Sequence, residues 1–285
     1  MNAYLELTKP RITCFILMST AIGFLFGMQA GAAFAWPLLL HTLLGTALIA
    51  SGTAGLNQWY ERLADARMNR TRSRPIPSGR VTAPHALIFC ILLSAAGFAE
   101  LWFGANPLAA LLGLFTLASY LFLYTPLKQR TPHATTIGAI PGAMPPLIGF
   151  AAACGTLTSG AWILYAILFL WQFPHFYAIA WIYREDYARA GIRMLPVVEP
   201  EGISTARRIV WFSVVLIPIS LLPKLTAMAG NIYMVGALLL GAGFLWAGTR
   251  AASHLTSSSA RQVLLASVVY LPLLYGFLLI DRPSL

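Results

Sequence analysis

Charge is what this chain has least of: 10% of its 285 residues are Asp, Glu, Lys or Arg, against roughly 25% in a soluble domain. Only nine are acidic. A water-soluble globular fold is excluded, because such a chain has too few charges to cover its surface. Cysteine is scarce as well. Cys14, Cys90 and Cys154 lie far apart in apolar stretches without CxxC spacing, which excludes a thiolate metal cage and a disulfide framework. Low-complexity tracts and flexible linkers are also missing, so residues 1–285 read as one integral-membrane domain.

What is there is apolar, 58% of the chain. Windows near 11–29, 36–56, 84–103, 107–124, 136–153, 161–182, 208–225, 230–249 and 262–280 are each long enough, or nearly so, to cross a bilayer, which takes about 20 apolar residues. The expected fold is all-α and polytopic, with nine transmembrane helices forming a bundle. Only MNAYLELTKP precedes the first window, and no small-residue cleavage site follows it, so no cleaved signal is expected.

The net charge of +10 is spread over the gaps between apolar runs. With the N-terminus placed in the cytoplasm, 17 of the 19 Lys and Arg residues fall on the cytoplasmic side, leaving only Lys224 and Arg282 opposite. That is the positive-inside pattern, and it accounts for the charge without nucleic acid. The expected partner is the lipid bilayer, the expected home a bacterial cytoplasmic (inner) membrane, and an odd span count puts the C-terminus outside. The outer loops are short and nearly uncharged, so chemistry is expected on the cytoplasmic face.

Asn57, Glu61 and Asp65 recur every four residues at the end of the second span and share one face if the helix continues. Three oxygen-bearing side chains in one cavity suit Mg²⁺, which is usually held by a few carboxylates together with substrate phosphates. Alone the spacing also fits a solvated helix end paired with arginines. Glu185 and Asp186 repeat the acidic theme after the sixth span, flanked by Arg184, Arg189 and Arg193. Two facing acidic clusters with surrounding bases describe a site for a polyanion bridged by Mg²⁺.

Arg67 and Arg70 follow the first acidic face and are candidate phosphate ligands, as is Arg184 beside the second. Arg72, Arg74 and Arg80 in the same loop divide between that role and plain topology. Lys128, just beyond Tyr124 and Pro126 at the end of the fourth span, could clamp a diphosphate as a mobile point charge. His175 sits inside the sixth span, and an ionisable group there is a functional candidate, the alternative being a neutral core histidine. The prolines and glycines of G138-A-I-P-G-A-M-P-P146 interrupt helical hydrogen bonding at membrane depth, which is tolerated only where protein or a cavity covers the backbone.

NQWYERLADARMNRTRSRP, YTPLKQRT, IGAIPGAMPPLIGFAA and WQFPHFYAIAWIYREDYARAGIRMLPVV, in that order, resemble the protohaem IX farnesyltransferases (haem O synthases) of the UbiA-type intramembrane prenyltransferases. The resemblance implies a central cavity capped by cytoplasmic loops. It implies transfer of farnesyl from farnesyl diphosphate to a vinyl group of haem b, with Mg²⁺ and addition of water, giving haem O for terminal haem–copper oxidases. Haem A synthase or oxidase assembly proteins would be partners. Asp65, Asp186 and Lys128 would be catalytic; Asn57, Glu61, Asp65, Glu185 and Asp186 would hold metal; His175, Tyr177 and Tyr124 would contact haem or prenyl. Two departures stand out. Glu61 takes the middle place of a motif that is commonly NxxxDxxxD, and Glu185-Asp186 replaces a pair of aspartates four apart.

Overall fold

The computed structural model describes residues 2–29, 31 and 33–283. In chain order the helices are α1 (Ala3–Leu7), α2 (Pro10–Gly27), α3 (Trp36–Asp65), α4 (Ala83–Gly104) and α5 (Pro107–Ala118). A π-helical turn (Ser119–Tyr124) joins α5 to α6 (Thr125–Leu127), followed by α7 (Ala134–Gly142), α8 (Pro145–Cys154), α9 (Ser159–Ile182) and α10 (Arg184–Arg189). Last come α11 (Leu195–Val198), α12 (Ile203–Leu225), α13 (Asn231–His254) and α14 (Ser257–Ile280). Among the described residues there is no strand, and nine helical segments are long and apolar enough to span a membrane. They match the nine apolar windows to within a few residues, except that α3 runs on to Asp65, as the spacing of its acidic residues requires.

Large apolar side chains such as Leu40, Leu92, Phe103, Trp211, Leu239 and Leu265 face outward, the arrangement expected where lipid is the solvent. The interior is held mainly in two large clusters, with two smaller ones under the loops. One joins Phe24, Ile49, Leu101, Leu147 and Phe150 of the N-terminal helices; the other joins Leu164, Phe173, Leu216, Phe244, Tyr270 and Leu274 of α9 and α12–α14. Where α2 crosses α8 the backbones nearly touch: a Cβ on Gly149 would overlap the Thr20 carbonyl, and one on Gly23 the Pro146 carbonyl. Small residues let membrane helices approach this closely. Glu100, an acidic residue within α4, is paired with His41 of α3 at 2.7 Å.

The fifth span is broken between α7 and α8, around Pro141, Gly142 and Pro145, and it is the most buried of the nine. Gln172 of α9 lies against the break and donates its amide to the carbonyls of Ala139 (3.2 Å) and Leu168 (3.1 Å). A Cβ on Gly142 would collide with the Gln172 side-chain oxygen. The break is thus covered by protein, and on its other side by a cavity.

Candidate active site

That cavity, about 450 Å³, runs from Lys9 and Arg11 at the loop-rich end of the bundle to Thr46 and Leu101 near the far end. Its walls are overwhelmingly apolar: Ile12, Phe15 and Ile16 of α2, Ile49 and Ala50 of α3, Trp171, Phe176 and Ile179 of α9, Val268 and Leu271 of α14. Pro141, Gly142 and Pro145 present backbone rather than long side chains to it.

A polar tier stands at its head. Asn57, Glu61 and Asp65 are all buried on one face of α3, as helical period dictates. The π-helical turn swings the end of the fourth span over that face. Thr125 Oγ1 donates to the Tyr120 carbonyl, and Asn57 Nδ2 donates to Thr125 Oγ1 at 3.1 Å. Three residues further on, Lys128 Nζ donates to Glu61 Oε1 at 2.9 Å and lies 4.4 Å from the centre of the Tyr124 ring. Burial opposes the Lys128 charge, but the Glu61 carboxylate prevails and holds the ammonium pKa well above its ordinary value. Arg74 Nη1 donates to Asp65 Oδ2 at 2.7 Å, while Asp65 Oδ1 is buried with no hydrogen-bond partner among the described residues.

Lys9 completes the tier. Leu7, fully buried, ends α1, and Gln58 of α3 donates to its carbonyl at 2.8 Å. Pro10 then opens α2 and disfavours right-handed helical geometry in the residue before it. Lys9 adopts the left-handed region, φ 48° and ψ 60°, a conformation that costs about 1 kcal/mol for a residue with a Cβ. The turn places its side chain at the cavity head. Burial, then the like charges of Arg74 and Lys128, lower its ammonium pKa to about 7. Lys9, Arg74 and Lys128 face two carboxylates, an excess of cation that suits an anionic ligand.

Sequence reasoning found the α3 face and Lys128. It used Lys9 only to orient the chain, and it gave Arg74 no more weight than its neighbours. The second acidic pair is placed differently from expectation. Adjacent residues on a helix diverge by about 100°, so Glu185 is exposed while Asp186 is buried. Asp186 is engaged by the loop that follows α3. Its oxygens accept from the backbone amides of Asn69 (3.3 Å) and Arg70 (3.1 Å) and from Arg189. Burial acts against its charge, but these donors hold the carboxyl below its usual range. Among the described residues no three His, Cys, Asp or Glu side chains cluster as a metal cage, and the two acidic positions are held by different partners.

The remaining candidates lie around this tier. Arg70 stacks 4.4 Å from the Tyr183 ring centre and donates to Tyr187 Oη. Arg184 stacks on Trp181 and donates to its carbonyl; Arg67 is exposed. Tyr177 is fully buried in the core rather than in the cavity wall, and its hydroxyl accepts from Arg208 at 2.9 Å. Tyr124 packs against Gly138 and under Lys128. His175 does line the cavity.

The donor set on α3 fits Mg²⁺. It offers oxygen only, the ligand type this hard cation takes: the unpartnered Asp65 Oδ1, the Glu61 carboxylate and the Asn57 amide oxygen, whose nitrogen is committed to Thr125. Three protein oxygens leave room for waters or phosphate oxygens.

Comparison with known proteins bears on the fold and the family. The chain is 62% identical over its full length, and over the whole of the relative, to protoheme IX farnesyltransferase of Solibacter usitatus (strain Ellin6076). It is 48% identical to the protein of that name in Koribacter versatilis (strain Ellin345), covering 99% of this chain and 94% of the relative. Among solved structures, a digeranylgeranylglyceryl phosphate synthase shares the fold with a TM-score of 0.80 at 18% identity, covering 98% of this chain and 97% of that one. A UbiA homologue from Archaeoglobus fulgidus bound to GPP and Mg²⁺ does so at 0.66 and 18%, covering 97% and 99%. The UbiA prenyltransferase family model matches residues 16–275, and with these full-length relatives the chain belongs to the UbiA prenyltransferase family.

Proposed function

We propose that the protein transfers a farnesyl group from farnesyl diphosphate to a vinyl group of haem b, with water added to the product, giving haem O for terminal haem–copper oxidases. The observation that carries the reading is the unpartnered Asp65 carboxylate oxygen in a cation-rich tier next to Lys9, where a deep apolar cavity begins. A diphosphate ester with a long isoprenoid tail has the same division into charged head and apolar chain. The full-length relative named protoheme IX farnesyltransferase supports haem b as the acceptor.

Bound Mg²⁺ would be held by Asp65, Glu61 and Asn57 and would neutralise charge on the diphosphate. Lys128, Arg74 and Lys9 meet the phosphate oxygens from the other side. As the allylic C–O bond breaks, the electron pair leaves with the diphosphate, and these fixed cations stabilise the charge that builds there. The apolar walls exclude water from the allylic carbon until the vinyl π-electrons form the new C–C bond. Water then captures the cation beside the porphyrin ring and releases a proton. Asp186 acts on this site through the loop it holds, and the positive-inside distribution supports an active site facing the cytoplasm with the N-terminus on that side.

The test is incubation of purified protein with haem b, farnesyl diphosphate and Mg²⁺, followed by mass analysis of the extracted porphyrin. A gain of farnesyl plus water, lost on chelation and in Asp65→Asn, is expected. An unchanged haem, with prenyl transferred to an added aromatic acid such as 4-hydroxybenzoate, would keep the diphosphate site and overturn the acceptor.

A further inference from the structure

Among the described residues His175 is the one histidine or acidic side chain that lines the cavity. Its Nδ1 lies 2.7 Å from Ser267 Oγ. Ser267 Oγ is also 2.6 Å from the Leu264 carbonyl, which can only accept, so the single hydroxyl proton is committed there. Ser267 therefore accepts from His175, Nδ1 carries the proton, and Nε2 keeps its lone pair. Among the described residues Nε2 has no hydrogen-bond partner.

The ring is also fixed in orientation. Trp171 stacks on it with centroids 4.9 Å apart and planes 25° apart. The Trp171 indole N–H donates to the Ser267 carbonyl at 2.8 Å, so imidazole and indole are both anchored to one residue of α14. An imidazole with Nδ1–H bound to a protein acceptor and Nε2 bare is the arrangement that orients metal-ligating histidines and raises their basicity. The surroundings, Phe176, Ile179, Val268 and Leu271, are apolar. They offer no second or third ligand, which a bare ion would need. An iron porphyrin brings four equatorial nitrogens of its own and needs only an axial base.

We infer that His175 Nε2 is the axial ligand to the iron of the porphyrin acceptor, with Ser267 as its positioning residue. This rests on the proposal that haem b is the acceptor. From His175 to the end of α9 at Ile182 the helix rises about 10 Å, which sets His175 below the loop-rich end of the bundle where the polar tier stands.

The experiment titrates ferric haem b into the full-length protein in lipid nanodiscs and records absorption and electron paramagnetic resonance spectra, then the iron–histidine Raman stretch after reduction. Wild type is expected to show an imidazole-ligated iron. His175→Ala should lose that signature, and added imidazole should restore it, with the circular dichroism spectrum and thermal unfolding midpoint unchanged as a check on folding. Ser267→Ala should keep the ligand but lower the stretching frequency, because Nδ1–H loses its acceptor. If His175→Ala fails the folding check, the Ser267→Ala shift decides, since it reads the bond with His175 in place. Identical spectra for wild type and His175→Ala, or no shift in Ser267→Ala, would overturn the assignment while leaving the farnesylation reading standing. Absence of haem binding by wild type would instead remove the acceptor and this ligand with it.

Discussion

Lys128 reaches across from the fourth span to Glu61 at 2.9 Å, with only 11% and 8% of the two side chains exposed. A buried pair of this kind is more costly to break than to replace, because the partner left behind is an uncompensated charge. Lys128→Met is expected to destabilise the protein by about 3–5 kcal/mol and to abolish detectable farnesyl transfer. The double variant Lys128→Met/Glu61→Gln should regain most of the stability and none of the activity. Thermal unfolding in detergent beside a turnover assay checks both, and parallel recovery of the two would mean that Lys128 is purely structural.

Asp65 has one oxygen on Arg74 and one without a partner. Asp65→Asn keeps the shape and removes the charge, so it should lower turnover by on the order of a hundredfold or more, the usual loss when one transition-state contact is removed. Isothermal titration should show Mg²⁺-dependent binding of farnesyl diphosphate weakened in the variant. Undiminished binding would place the metal elsewhere.

For Lys9 the expectation concerns pH. Its free ammonium titrates at about 7, and a bound diphosphate, being anionic, must raise that value. Binding then takes up a proton above pH 7, so affinity is highest below 7 and falls as pH rises through it. One proton limits the slope to about tenfold per pH unit. Affinities measured from pH 6 to 9 should show this fall in wild type, and in Lys9→Met a flat profile starting about tenfold weaker. A wild-type profile that rises with pH would rule Lys9 out as a ligand.

Asp186 holds the loop after α3 by two backbone amides, a contact an amide side chain can only half reproduce. Asp186→Asn should speed hydrogen exchange at Asn69 and Arg70 and raise KM for farnesyl diphosphate, with the dependence on Mg²⁺ concentration little changed. A large shift in that dependence would restore Asp186 to the metal. Because its carboxyl is held below the ordinary range, the latch is fully charged at neutral pH, and its contribution is lost only as pH falls through that lowered value.

The parts legible in the sequence were those written in periodicity. Nine apolar windows gave nine spans, and the four-residue spacing of Asn57, Glu61 and Asp65 needed only helix geometry to become a buried face. Lys9 was hidden because a lysine before a first span looks like topology; its place depends on a left-handed turn that Pro10 favours but does not dictate. That Glu185 is exposed and Asp186 buried was hidden because a pair of adjacent acids does not say which one points inward. The tie between Asp186 and the loop after α3 was not legible, because its partners there are backbone amides, which carry no residue identity. His175 was visible as an oddity in an apolar span, whereas Ser267 and Trp171, which fix its tautomer and tilt, are ordinary letters until the helices pack.

The π-helical turn at Ser119–Tyr124 stores part of the site as a count of residues rather than as a kind of residue. Such turns are in effect one-residue insertions into an α-helix, and removing one residue rotates everything after it by about 100°. A deletion anywhere in that turn would carry Lys128 away from Glu61 while every functional side chain remained in the sequence. A lineage could thus lose this chemistry through a change in length alone, with its motifs intact.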